Sequence, residues 1–403
     1  MKLKVLNDDG SFSSHKIEAV RLKDKNLLNH VGYIGTESKE KNALNIFKAY
    51  FSNAKAILLD ETNKSIVAQL QELSIEKFED QQNKNTIFEK KDFSFLYFTS
   101  GSTGTPVGAL KSKKHIESEV KVLSQLLKKY QIKKVVVTVP FIHLYGTLLG
   151  LFYPLFNDID IVLKEHFLPH DLLELIDEHT MVVTTPLYIK ALNKLSEKKN
   201  LSKSLFISST APLDVESAKR FNEKFQVDVM QIFGSTETGG IAYKLNNQRL
   251  WKTFDRVETS TNNEGELHVS SPFVSDILYE NEFKEINGAI QTFDYVEEEK
   301  EGFRLVGRSS KIFKLAGKRY STVQIENILE NIEGIKKALV FVELSKEALR
   351  GEYLDITIES ELAFTVKEIK TLLRKELSNL KFSMELKVVA KIPTNLVGKK
   401  LRI

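Results

Sequence analysis

Phe98-Thr99-Ser100-Gly101-Ser102-Thr103-Gly104-Thr105-Pro106-Val107-Gly108 decides how this chain is read. Glycines at 101, 104 and 108 alternate with hydroxyl residues directly after the apolar run 93–98. Glycine lets a backbone turn sharply and approach an anion closely. Successive N–H groups in such a loop form an anion-binding concavity, and hydroxyls add donors. The segment therefore reads as a strand running into a triphosphate-binding loop. Gly-Lys-Ser/Thr is absent, which excludes a Walker loop. The same composition also suits a flexible linker. A linker does not follow directly on a buried-strand pattern, so the phosphate reading is preferred.

Outward from this loop the chain alternates. Residues 116–130 carry Leu and Val at helical spacing and 134–140 are strand-like. Strand-like runs at 160–163, 181–184 and 204–208 each precede a helical stretch, at 171–178, 188–194 and 215–225. The run 227–231 ends in a Gly-Ser-Thr-Glu turn. Repeated βα units with β-branched strands predict an α/β fold with a doubly wound, mostly parallel sheet. Ligands of such sheets bind at the carboxyl ends of the strands. After Gly302 the pattern changes to a small α+β unit. It has short strands at 303–306 and 311–315, a helix at 322–331, strands at 337–342 and 353–358, a helix at 366–377 and a strand at 384–390. Residues 76–92, rich in Glu, Lys, Gln and Asn, read as a solvated connection.

Composition narrows the function classes. At 403 residues more than one domain is expected. The longest apolar run, 148–156, is too short to span a bilayer. Met1-Lys2-Leu3-Lys4 runs into polar Asn7-Asp8-Asp9-Gly10, which is not a signal peptide pattern. No cysteine is present, so disulfides and thiol nucleophiles are excluded and a cytoplasmic location is expected. A net charge of +4 gives no case for nucleic acid. Eight histidines without a His-Glu-x-x-His motif give none for zinc; the one His-x-x-x-His spacing, His166 to His170, has Pro169 inside it.

Four motifs in order resemble the adenylate-forming superfamily of acyl-CoA synthetases, peptide-synthetase adenylation domains and luciferases. They are the 98–108 loop, Gln231-Ile232-Phe233-Gly234-Ser235-Thr236-Glu237, Leu305-Val306-Gly307-Arg308 through Lys314, Gly317 and Glu326, and Pro393-Thr394-Asn395-Leu396-Val397-Gly398-Lys399. The first ~95 residues carry no recognisable part of the pattern and read as a shortened subdomain. The resemblance implies an AMP-binding N-terminal domain at 1–307 and a mobile C-terminal domain at 308–403. It also implies an ATP- and Mg²⁺-dependent ligase. A carboxylic acid (fatty, hydroxy or aryl) attacks the α-phosphate of ATP, and a thiol of CoA or of a phosphopantetheinylated acyl-carrier protein then displaces AMP.

The same resemblance assigns roles to residues. Thr99, Ser100, Gly101, Ser102, Thr103 and Gly104 would hold the β- and γ-phosphates. Thr236 would bind the α-phosphate and Glu237 would hold Mg²⁺, next to Gly234 and Ser235; the local alternative is a helix N-cap with a favourably placed acid. Phe233 would stack on adenine, or simply pack in the core. Ser209, Thr210, Ala211 and Pro212 would line adenine and the acyl group, at positions where the family more often has two glycines (209 and 210). Asp294 would accept from the ribose hydroxyls, and Arg308 would reach ribose or phosphate. Lys399 would bridge the substrate carboxylate and α-phosphate as a point charge. Ser310 stands at the hinge position, where aspartate or lysine is usual, and Gly317 near the thiol step. His143 matches a gate of the acyl pocket, and equally reads as a packed core histidine. Val107 replaces the family's loop lysine, with Lys111, Lys113 or Lys114 as candidate substitutes. With Phe293 replacing a glycine before Asp294, these departures leave a degenerate nucleotide-binding protein of the same fold as the alternative.

Overall fold

The computed structural model describes residues 1–35, 37–79, 86–99, 107–308, 312–315, 318–344, 352–377, 383–394 and 400–401. They fall into two compact units, one of residues 1–259 with 268–290 and one of 260–267 with 291–403.

The larger unit is built on two sheets. In the first, Asp228–Ser235, Leu205–Ser208, Thr180–Thr184, Lys134–Val137, Asp160–Leu163 and Lys2–Leu6 lie side by side in that order. All five pairings between these neighbours are parallel. Antiparallel strands close both edges: Gly239–Leu245 then Lys252–Thr253 beyond one, Phe12–Lys16 beyond the other. The central strands are Val-, Ile- and Leu-rich because both faces are covered. Val136, Val182, Phe206 and Val229 pack on one face against Leu172, Ile189, Leu192, Phe221 and Phe225 from the crossover helices. Helix Val215–Phe225 shows the local logic. Asp214 caps its start by accepting from the Ser217 N–H at 2.7 Å. Ala218, Phe221 and Phe225 bury one face, and Gln226 ends it at φ +53°.

The second sheet is mixed. Val31–Ile34, Lys55–Leu58 and Phe95–Thr99 are parallel neighbours, while Val107–Lys111, Ile277–Glu280 and Glu282–Glu285 continue it antiparallel. The 98–108 loop therefore joins two hairpinned strands, with Thr99 opposite Val107. In its described parts, 76–79 and 86–92, the connection is less solvated than its composition suggests. Phe78 and Phe88 are buried, and Phe88 packs within ring contact of Phe93, Tyr279 and Phe283.

The smaller unit has its own core. Ile335–Leu344 pairs antiparallel with Glu352–Ser360, which pairs parallel with Ser383–Val389. Helices Thr322–Glu330 and Val366–Glu376 cover this sheet through Ile325, Leu329, Ile369 and Leu373. Within the same unit, Gly302–Arg308 pairs with the end of Ala289–Glu299.

Candidate active site

The motif strand runs further than its sequence suggests. Asp228–Ser235 continues four residues past Gln231, because Gly239–Leu245 folds back and pairs with it, with a bulge at Phe233/Gly234. Thr236, Glu237 and Thr238 form the turn between the two strands. No helix follows, so the alternative of a helix N-cap at Thr236 is overturned. Gly234 is required here: a Cβ on it would lie 2.2 Å from the Gly239 carbonyl oxygen. Thr238, which sequence reasoning passed over, locks the turn. Its hydroxyl accepts from the Ser235 N–H (2.9 Å) and donates to the Gly239 carbonyl (2.7 Å), while its own N–H reaches Ser235 Oγ (3.2 Å). Thr236 and Glu237 are half-buried at this edge.

Neighbouring strand ends bring further predicted residues to the same carboxyl edge. Ser209 follows Leu205–Ser208 and donates through Oγ to the Ile232 carbonyl at 2.9 Å. Thr210 sits at φ +77°, a strained conformation for a β-branched residue and the place where the resembled family more often has glycine. Ala211 and Pro212 are exposed beside it. Ser208 and Gln231 are register partners on adjacent strands. Both are buried, yet Ser208 Oγ and Gln231 Nε2 have no hydrogen-bond partner among the described residues. Such orphaned donors in a core call for a ligand or water. Phe233 lies half-buried with its ring 5.5 Å from Trp251, over which the Lys244 ammonium sits at 4.7 Å.

His143 precedes a helical stretch whose middle, Leu148–Phe152, is a π turn. Its carbonyl accepts from Thr147 Oγ1 at 3.0 Å. Burial holds its imidazole below the usual range, with the Asp60 charge opposing. Tyr145 reaches across the strand ends, its hydroxyl 2.9 Å from the Thr184 carbonyl and 2.7 Å from that of Ile207.

Of the candidate loop cations, Lys111 and Lys113 are engaged elsewhere. Lys113 donates to Asn53 Oδ1 at 2.6 Å and lies over the Tyr50 ring. Lys111 is 1% exposed and donates to the carbonyls of Glu237 (3.0 Å) and Phe273 (2.5 Å). Glu119, on helix Lys113–Leu127, is buried beside it and accepts from the Gly240 N–H at 2.7 Å. Burial lowers the Lys111 ammonium and raises the Glu119 carboxyl, each offset by the other's charge. The signal for Glu119 was present in the sequence: an acid lies within the apolar stripe Ile116, Val120, Leu123 and Leu127.

In the smaller unit Asp294 is buried, its N–H donates to Thr292 Oγ1 at 3.2 Å, and its backbone pairs with Arg308. Phe293, in the glycine position, is 60% exposed. Thr99 and Arg308 are placed by their strands. Ser100, Gly101, Ser102, Thr103, Gly104, Ser310, Gly317 and Lys399 lie outside the described residues. Among the described residues no cluster of three metal-ligating side chains occurs. Mg²⁺ asks for less, since it is commonly held by one or two carboxylates plus substrate phosphates. Glu237, the Phe233 ring and the orphaned Gln231 and Ser208 donors fit a Mg²⁺-nucleotide.

A family model described as AMP-binding enzyme matches residues 35–275, beginning well before the first motif read from the sequence. "Probable 4-coumarate--CoA ligase 1" of Dictyostelium discoideum is 29% identical over 355 residues, covering 78% of this chain and 63% of that protein. The 3,4-dihydroxybenzoate–[aryl-carrier protein] ligase of Bacillus anthracis is 22% identical over 313 residues, covering 76% and 72%. The chain spans less than two thirds of the length of three CoA-ligase relatives, at 66, 63 and 63%. In fold it is similar to o-succinylbenzoate CoA synthetase from Bacillus subtilis in complex with an acyl-adenylate. The TM-score is 0.82 at 16% identity, over 99% of this chain and 94% of that one.

Proposed function

The chain belongs to the AMP-binding enzyme family, and on that premise we propose that it is an ATP-dependent acid–thiol ligase. The observation that carries this is the locked 235–238 turn at the carboxyl edge of the parallel strands, which presents Thr236 and Glu237 at the end of the strand that also carries the orphaned, buried Gln231 amide. In the first step a carboxylate oxygen attacks the α-phosphorus, an acyl-adenylate forms and pyrophosphate leaves. In the second a thiol attacks the acyl carbon and AMP leaves. The demand on the protein is electrostatic, because charge moves along an in-line phosphoryl transfer. Thr236 donates to the α-phosphate, Glu237 ligates Mg²⁺, and Asp294 accepts from the ribose. When bound, Mg²⁺ neutralises phosphate charge. Lys399 supplies the cation between the carboxylate and the α-phosphate.

The division at 307/308, the rotation of the C-terminal domain about Ser310 and the place of Gly317 in the thiol step are part of the same proposal. So are a carboxylic acid as substrate, a CoA or carrier-protein thiol as acceptor, and a cytoplasmic location. The aryl-carrier-protein ligase among the relatives supports the carrier option. No helix among the described residues is long and apolar enough to cross a membrane. The test is a pyrophosphate-release screen over aliphatic, hydroxy and aryl acids with Mg²⁺ and ATP. Acid-dependent release supports the ligase. ATP binding without release for any acid supports the degenerate alternative.

A further inference from the structure

Where the resembled family has a lysine, this chain has Val107, and a cation follows four residues later at the end of the same strand. Lys111 does not reach outward. Two of its three donors are spent on backbone carbonyls, and one of these belongs to Glu237. That carbonyl also accepts from the Ser275 N–H at 2.9 Å. The far side of the turn is held by the opposite charge, since Glu119 Oε1 accepts from Gly240 N–H at 2.7 Å. Cation and carboxylate thus grip the turn at 237 and 240. The grip is mounted on a rigid corner. Ser112 Oγ caps the helix at the His115 N–H, and the Ser112 N–H donates back to His115 Nδ1 at 3.1 Å. This fixes the tautomer, so the proton sits on Nε2 and is donated to Asp276 Oδ2 at 3.1 Å.

We infer that Lys111 and Glu119 are positioning residues, clamping the backbone of the 237–240 turn so that the Glu237 carboxylate is held in register with the strand leaving the phosphate loop. The inference rests on the proposed role of Glu237 as a Mg²⁺ ligand. Buried opposite charges are weak evidence for stability, because well-packed apolar residues of similar volume often do as well. The geometry here is better accounted for by orientation: the Lys111 ammonium donates to the backbone carbonyls of Glu237 and of Phe273, which leads into Ser275, and the Glu119 carboxylate accepts from the Gly240 N–H. Groups that orient a metal ligand typically govern metal affinity by 10–100-fold, about the effect expected here.

The experiment measures ATP binding to the full chain by calorimetry, once with Mg²⁺ and once with EDTA, together with thermal melting. Lys111→Met alone leaves a buried carboxylate uncompensated and melts early. The double variant Lys111→Met/Glu119→Gln removes that charge and regains the melting temperature. Its Mg²⁺-dependent gain in ATP affinity nevertheless falls about 10-fold, while affinity in EDTA changes less than about twofold. Glu119→Gln alone leaves the buried ammonium uncompensated and melts early too, but it keeps the Lys111 carbonyl contacts and an acceptor for Gly240, so below its melting temperature it retains the gain. A double variant that recovers both melting and the Mg²⁺ gain makes the pair purely structural and overturns the clamp. Loss of the gain in Glu119→Gln overturns it as well, because the carbonyl contact of Lys111 is intact there. If the unmodified chain shows no Mg²⁺-dependent binding of ATP, the reading of Glu237 falls and the clamp with it.

Discussion

Gly239→Ala tests how tightly the acid-bearing turn is built. Gly239 has φ +71°, and a Cβ there would lie 2.6 Å from Glu119 Oε2 and 2.9 Å from Phe273 Cβ. Two costs add. A non-glycine residue in the left-handed region loses about 1 kcal/mol. Overpacking a site whose neighbours cannot swing away costs about 2 kcal/mol more, since Phe273 is fully buried and Glu119 is tied to Gly240. The expected loss is about 3 kcal/mol. Gly10→Ala is the internal control, with φ +83° and nothing within 4 Å of the added Cβ. It should lose only the backbone share, about 1 kcal/mol. Urea unfolding followed by tryptophan fluorescence suits the measurement, because the only tryptophan, Trp251, is buried in the larger unit. Equal losses in the two variants would refute the packed turn.

Glu237→Gln should raise the Mg²⁺ concentration needed for half-maximal pyrophosphate release roughly 10-fold, because an amide is a poorer ligand for a hard cation; an unmoved titration curve would reduce Glu237 to a structural residue. Lys399→Ala should lower acid-dependent pyrophosphate release about 100-fold with ATP binding retained, because this cation meets charge that develops in the transition state. Burial lowers Lys39 from 10.5 to about 8, its ammonium donating to the carbonyls of Thr138 and Lys164. Between pH 8 and 10.5 the unfolded chain then holds more protons at this site than the folded one, so stability rises with pH in that window. Lys39→Met should flatten this rise in urea-unfolding midpoints measured at several pH values, and an unchanged slope would assign the effect to other groups.

Part of the larger sheet was legible in the sequence because three of its strands, Asp160–Leu163, Thr180–Thr184 and Leu205–Ser208, are short apolar runs each followed by a helix. Where boundaries moved, local chemistry explains it. Helices read from Asp171 and Tyr188 begin at Pro169 and Pro186, since proline is preorganised for the first helical turn. The strand read as ending at Gln231 continues to Ser235, because antiparallel pairing with Gly239–Leu245 overrides the glycine that read as a stop. The N-terminal hairpin Lys2–Leu6 with Phe12–Lys16 was not legible at all. It completes the large sheet by pairing Leu3 with Ile161, a contact no local pattern encodes. The same holds for Lys111. Read alone it is a basic residue near a phosphate loop; its partners, Glu237 and Phe273, lie more than a hundred residues away.

The central claim is that ATP is cleaved by attack of a carboxylate at the α-phosphorus. It is tested most directly with an acid that supports turnover, labelled with ¹⁸O in its carboxylate, and incubated with enzyme, Mg²⁺, ATP and the thiol acceptor. Mass spectrometry of the products then reads the bond that formed. If an acyl-adenylate forms and is thiolysed, one carboxylate oxygen stays on phosphorus and the label appears in AMP, with none in pyrophosphate. Unlabelled AMP, or release of ADP with label in inorganic phosphate, would contradict it.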